Sequence, residues 1–330
     1  MIVSSFFPVT YVDPARSLEW TFPQPPRDCD PRVAHELFRR SLELIDETDE
    51  AGFDWISVSE HHFAPLSLTP GPMTFAAALT QRVKRAKIAM LGATLPLHNP
   101  VRVAEEIAML DHLADGRLVV ALLRGVPNEF VAYGIPEEET RPRVQEGVEL
   151  ILKAWTEPEP FAWNGRFHQL DHVAVWPRPL QQPHPPVLLS ANSPESAQFA
   201  ARMRTMVGIS FAPPEPARQL ATVYRDACAA EGWEPTREHV LYRGFVFVDE
   251  TDERAAETLE RYVVPFVPGA PRSNFFGTPD SVLRQLREMQ QATGCGAFDL
   301  VFFFPRMPYE HIERSKRLFI EHLLPAVRAL

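Results

Sequence analysis

Four short stretches of this chain carry residue types that could do chemistry, and each follows an apolar run. The first reads Ser59-Glu60-His61-His62-Phe63. A carboxylate beside two imidazoles can move protons near neutral pH. Equally, one histidine could cap a loop while the other is exposed. Adjacent residues of an extended segment face opposite ways, so His61 and His62 make a poor chelate. With no second His/Asp cluster in view, no metal site is expected. The second stretch, Leu123-Arg124-Gly125-Val126, offers a forked donor suited to a phosphate, or an ion pair with one of the chain's many acids. The third, Ser190-Ala191-Asn192-Ser193-Pro194-Glu195-Ser196, has Ser193 as a helix N-cap and Pro194 at the first helical position. Free N–H groups and the Ser193 and Ser196 hydroxyls there form an anion site, although capping alone would explain both serines. The fourth, Leu91-Gly92-Ala93-Thr94-Leu95-Pro96, is small enough at Gly92, Ala93 and Thr94 to admit a flat ligand against the backbone, or to form a tight barrel corner.

These stretches sit at the ends of predicted strands. The hydrophobic pattern predicts strands over Ile2 to Phe7, Phe53 to Ser59, Lys87 to Ala93, Arg117 to Leu123, Val187 to Ser190, Thr205 to Ser210, Val240 to Val248 and Phe298 to Phe304. Helices are predicted between them, over Pro31 to Ala51, Gly71 to Arg85, Pro100 to Ala114, Thr140 to Trp155, Pro194 to Arg204, Pro216 to Glu231 and Pro279 to Thr293, with a last one from Tyr309 to Ala326. Asp30 and Gly52 serve as start and stop signals of the first. The strands are near-continuous apolar runs, as parallel strands covered on both faces require. Eight such units in one chain predict an α/β fold of the (β/α)8 TIM-barrel type, a single domain over residues 1–330, with its site at the C-terminal strand ends. A doubly wound sheet would want a Gly-rich turn after the first strand, and Phe6-Phe7-Pro8-Val9 supplies none. Asn164-Gly165 between aromatic arms predicts a β-hairpin insertion. The segment Val263 to Gly277, rich in Pro and Gly yet carrying Phe266, Phe275 and Phe276, reads as a lid inserted before the last strand, or as a fixed loop on the barrel rim.

Composition narrows the classes. The chain has 330 residues, 45 % of them apolar and 23 % charged, with a net charge of −10. That is an ordinary globular mixture and excludes a disordered tail or a collagen. The acidic balance disfavours nucleic acid, so a phosphate would have to be held by local donors. Cys29, Cys228 and Cys295 are three in number and far apart, which predicts no disulfide framework and fits a cytoplasmic protein. No signal segment is expected in the first residues, and no apolar run is long enough to span a membrane. Proline, at 33 residues, is spread through the chain as loop punctuation.

Taken together, the four stretches resemble the bacterial luciferase-like flavin monooxygenases. The resemblance runs from about Phe53 to Met203. It rests on Gly52-Phe53-Asp54 with Glu60-His61-His62-Phe63, on Leu95-Pro96-Leu97-His98-Asn99-Pro100-Val101-Arg102-Val103-Ala104-Glu105-Glu106, on Leu110-Asp111-His112-Leu113-Ala114-Asp115-Gly116-Arg117, on Arg124-Gly125 and on Ser193-Pro194-Glu195-Ser196. It implies a TIM barrel that takes reduced FMN from a separate, transiently bound reductase and uses O2 to oxygenate a small organic substrate through a flavin peroxide. It further implies His61, with Glu60 and His62 beside it, as the catalytic group. Arg124, Asn192, Ser193 and Ser196 would hold the flavin phosphate, and Gly92, Ala93 and Thr94 would lie under the ring, where the family often has a cis non-prolyl peptide. Leu123 and Asn192 stand where luciferases have Cys and Glu, so light emission is not implied. A homodimer is the expected assembly. Other readings are a deazaflavin-dependent oxidoreductase of the same superfamily, a non-catalytic flavin-binding subunit and a metal-dependent barrel hydrolase.

Overall fold

The computed structural model describes residues 1–13, 15, 18–19, 21–263, 275–304 and 306–330. Its strands are β1 (Ile2–Phe6), β2 (Trp55–Val58), β3 (Lys87–Thr94), β4 (Leu118–Leu123), β5 (Phe161–Asn164), β6 (Gln169–Val173), β7 (Val187–Ser190), β8 (Met206–Ser210), β9 (Val240–Val248), β10 (Phe275–Gly277) and β11 (Ala297–Val301). Eight of them, β1 to β4, β7 to β9 and β11, pair in parallel around a ring that β9 closes by bonding both β8 and β11. With helices between the staves this is a (β/α)8 TIM barrel. The strand runs are buried on both faces, Leu118 to Leu122 at 1 % exposure or less, so they lack the polar alternation of a one-sided sheet. β5 and β6 form the antiparallel hairpin outside the ring. The Glu146 carboxylate fastens it by accepting the backbone N–H groups of Arg166, Phe167 and His168.

Local signals place the helices. Asp30 caps the helix Pro31–Ala51 by accepting from Arg32 N at 2.8 Å, and Gly52 ends it in the left-handed region. Asn99, Ser193 and Thr278 cap later helices in the same way. The second helix, expected to reach Arg85, spans only Pro72–Thr80. Asp49 takes the N–H groups of Lys84, Arg85 and Ala86 at 2.7–3.2 Å, which turns the chain out of the helix and into β3. The last helix breaks at Leu323, before Pro325, into Tyr309–His322 and Leu324–Arg328. Two helices were not expected, Pro127–Ala132 and Asp252–Tyr262.

The segment read as a lid is only partly within the described residues. Val264 to Asn274 lies outside them. Phe275, Phe276 and Gly277 form β10, paired with Val246–Val248 where β9 outruns β11, so the end of the segment is a strand of the sheet. Asp252 locks the far side, accepting Thr278 N at 2.7 Å and the Ser281 hydroxyl at 2.9 Å.

Inside the barrel the character changes with height. Trp55, Ala89, Leu91, Val119, Ala121, Leu188, Met206, Leu241 and Ala297 form an apolar plug. One inward-facing step nearer the C-terminal ends, Asp299 accepts from the hydroxyls of Ser4 (2.6 Å) and Ser57 (2.5 Å) and from Arg243 Nε (2.6 Å). The Arg243 guanidinium also lies 4.3 Å from the Phe6 ring centre. Truncating Asp299 would leave a mostly buried guanidinium and two buried hydroxyls without this partner. We expect Asp299→Ala to cost about 3–5 kcal/mol in denaturant unfolding. A loss below about 1 kcal/mol would show that water replaces the carboxylate and that this layer is not a structural element.

Candidate active site

The polar stretches converge at the C-terminal rim of the barrel, as this fold requires. Glu60, just past β2, is buried with both oxygens engaged. His62 Nε2 and His98 Nε2 lie 2.9 and 2.8 Å from Oε1, so each must donate an N–H to it, and Thr94 N donates to Oε2 at 2.7 Å. Burial alone would raise this carboxyl. The bonds from His62, His98 and Thr94 outweigh it and hold the pKa at about 2. Burial pulls His98 down, but the Glu60 carboxylate more than offsets this and raises it above the usual histidine value.

The two adjacent histidines take different partners. His62 is buried and, with Nε2–H committed to Glu60, accepts the Tyr133 hydroxyl at Nδ1 (3.1 Å). His61 turns the other way. Its Nδ1 lies 2.8 Å from Oε1 of the buried Glu129, whose Oε2 accepts Val126 N at 2.9 Å. The His61 ring is 25 % exposed, against 6 % for the His62 side chain. A neutral His61 that donates from Nδ1 keeps Nε2 as an acceptor. Of the three residues expected to be catalytic, His61 alone retains an exposed ring; Glu60 and His62 are spent on each other and on their neighbours.

The residues expected to bind an anion also meet. Arg124, Gly125, Asn192, Ser193 and Ser196 line one cleft of about 180 Å³. Ser193 and Ser196 cap reciprocally: Ser193 Oγ accepts Ser196 N at 3.3 Å, and Ser196 Oγ accepts Ser193 N at 3.1 Å. Arg124 is held by Thr140, its Nε donating to Oγ1 at 2.8 Å. A residue that sequence reading missed completes the set. Arg141 lines the same cleft and donates to Ser193 Oγ at 3.4 Å. An arginine on a helix has no local mark that tells it from a solvated one, so Arg141 could not have been singled out. Glu129 and Tyr133 were missed because the Pro127–Ala132 helix was; Pro127 with a carboxylate two residues later was the available signal. His98 lay in a quoted motif without a role.

Gly92 packs closely against the adjacent strand. The Leu91–Gly92 peptide is cis and the register of β3 on β4 slips there. A Cβ on Gly92 would stand 2.1 Å from the Ala121 carbonyl oxygen. Its smallness therefore serves the packing of two strands, the tight-corner alternative. Ala93 and Thr94 are buried, Thr94 by way of the bond to Glu60. The Ser59 hydroxyl, just past β2 and two residues on from the inward-facing Ser57, is buried without a hydrogen-bond partner among the described residues.

The carboxylate–histidine cluster and the two-arginine cleft thus lie at the C-terminal rim of a TIM barrel, the face on which this fold carries its sites. The profile of the luciferase-like monooxygenases matches residues 21–294, and the chain belongs to that family. Among solved structures, it is similar to the monooxygenase RslO1 of Streptomyces bottropensis, with a TM-score of 0.84 and 31 % identity over 99 % of both chains. It shares the fold of the oxygenating constituent of 3,6-diketocamphane monooxygenase of Pseudomonas putida, solved with FMN, at a TM-score of 0.79 and 20 % identity over 98 % of both chains. The oxygenase component of the flavin-dependent trigonelline monooxygenase of Acinetobacter baylyi is 28 % identical over 53 % of this chain and 49 % of that one. The chain spans about half the length of the first curated relatives it matches. No helix among the described residues is long and apolar enough to cross a membrane.

The Glu60 cluster carries a pH signature. A carboxyl lowered from 4.5 to about 2 stabilises the fold fully above pH 4.5 and loses that contribution as pH falls toward 2. The raised His98 contributes fully below its ordinary 6.5 and loses it as pH rises through its folded value. The stability advantage over Glu60→Gln is therefore expected to be largest between about pH 4.5 and 6.5. Its acid-side loss should be about 3 kcal/mol, measured as unfolding free energy against pH. A difference that stays flat from pH 6 to 3 would refute the assignment.

Proposed function

We propose that this chain is a reduced-FMN-dependent monooxygenase that transfers one oxygen atom of O2 to a small organic substrate. The convergence of Arg124 and Arg141 on the capped N-terminus of the Pro194–Arg202 helix carries the reading. In a chain of net charge −10, two guanidiniums, two hydroxyls and a helix start in one cleft suit a phosphate. The unpartnered Ser59 hydroxyl suits a polar ligand atom at the barrel mouth. The residues present thus fit a flavin mononucleotide, which when bound supplies the activation of O2.

The protein's own groups have separate tasks on this reading. Arg124, Arg141, Ser193 and Ser196 bind the phosphate. Asn192 edges the same cleft. Thr94, fixed by Glu60, sets the floor at the end of β3. His61 accepts or delivers a proton at Nε2, because its Nδ1–H is held by Glu129. Glu60 and His62 are positioning residues: they hold Tyr133 and the β3 end in place. Reduced flavin comes from a separate reductase.

Protein loaded anaerobically with reduced FMN and mixed with O2 should show a transient visible absorbance before oxidised flavin appears. Oxidation at the rate of free flavin, or tighter binding of a reduced deazaflavin, would overturn the reading. Arg124→Ala and Arg141→Ala should each weaken reduced-FMN binding about 10- to 150-fold in anaerobic titration, with unfolding midpoints little changed. His61→Ala should lower turnover by ~10²-fold with flavin affinity kept, and His62→Ala should do less. The reverse order would move the proton-transfer role to His62.

A further inference from the structure

A second cavity, of about 450 Å³, has His61 in its lining and shares no lining residue with the arginine cleft. Phe38, Phe63, Pro65, Leu68 and Tyr133 form its walls, and His61 stands in its lining. Phe63 and Tyr133 stack parallel, centroids 5.9 Å apart, and both rings are about half exposed. Exposed stacked aromatics on a cavity wall are apolar surface available to a ligand. Among the described residues that line it, Asp28 is the one side chain with a permanent formal charge, and it is negative. The arginine cleft has the opposite character, with two guanidiniums.

The two spaces meet at one turn. Glu129 bonds His61 on the cavity side and Val126 N on the other, and Gly125 of the same turn lines the arginine cleft. A molecule in the apolar cavity therefore lies beside His61, which Glu129 ties to the turn that lines the arginine cleft. A cavity of this size lies in the range that holds one small organic molecule.

We propose that this cavity is the substrate subsite and that it takes a neutral, largely apolar molecule in preference to a carboxylate. As a subsite of an oxygenase it rests on the function proposed above. The binding itself needs no flavin, so it is tested separately.

Cys29 is a built-in reporter. It is exposed and lines the cavity, whereas Cys228 and Cys295 are buried. The experiment is alkylation of the full chain by iodoacetamide without flavin, with Cys29 followed by peptide mass spectrometry. Two pairs of probes are used, 1-octanol against octanoate and 1-naphthol against 1-naphthoate. At saturation the neutral probes should slow Cys29 alkylation at least about five-fold, while the carboxylates leave it within about two-fold. Phe63→Asp should abolish the protection. Phe63 is half exposed and has φ +55°, a backbone region that Asp enters more readily than Phe, so the variant should fold; its unfolding midpoint checks this. Equal alkylation with and without the neutral probes would overturn the subsite. Equal protection by the carboxylates would overturn its preference for neutral ligands. Protection that survives in folded Phe63→Asp would place the probe elsewhere. Loss of FMN binding in Arg124→Ala with protection of Cys29 unchanged would confirm that the two clefts are independent; failure of the flavin reading alone leaves the alkylation result standing.

Discussion

The rim of this barrel is organised around one buried carboxylate. Removing Glu60 from water is costly unless every lone pair finds a donor. The chain meets that demand with donors from separate places: Thr94 N at the end of β3, His98 in the turn beyond it and His62 on Glu60's own segment. The bonds from His62, His98 and Thr94 hold the carboxyl well below the usual carboxylate range, so it is charged over the ordinary pH range. Its consequences run outward. Fixing Nε2–H of His62 leaves Nδ1 to accept Tyr133, and Tyr133 in turn sets the Phe63 ring against it. One charge thereby positions the apolar wall of a cavity it does not touch.

A second constraint acts at a single turn, which carries Gly125 of the arginine cleft and, through Glu129, the His61 ring of the apolar cavity. Gly125 adopts φ +83°, and a Cβ there would stand 2.5 Å from Thr94 Cγ2 and 2.8 Å from Glu129 Oε2. Glycine lets the turn lie directly on the end of β3, so Glu129 can brace both Val126 N and His61. A chain of net charge −10 cannot attract an anion by its overall field. On the function proposed above, the local grouping of Arg124, Arg141 and a helix start would supply that attraction.

Much of the architecture was legible in the residues alone. The eight-fold rhythm of apolar runs and helical stripes, the Asn164-Gly165 hairpin and the capping residues Asp30 and Ser193 are local signals. Backbone geometry and side-chain periodicity act over a few residues and need no partner to be read. The stretches that carry the site were also found, since they stand at strand ends and the fold sends strand ends to one face.

What tertiary structure decided is which partner each side chain takes. His61 and His62 are neighbours in sequence and indistinguishable there; one is assigned by Glu129, 68 residues away, and the other by Glu60 and by Tyr133, 71 residues away. Arg141 became part of the anion cleft only when its helix was laid beside Ser193, 52 residues on. Gly92, legible as small, turned out to be small for the sake of Ala121 on the adjacent strand. Phe275 and Phe276, too apolar for a solvated loop, found β9 as their cover. Hydrogen bonds and packing contacts such as these depend on distance in space, and short-range periodicity carries no information about which distant residue will arrive there.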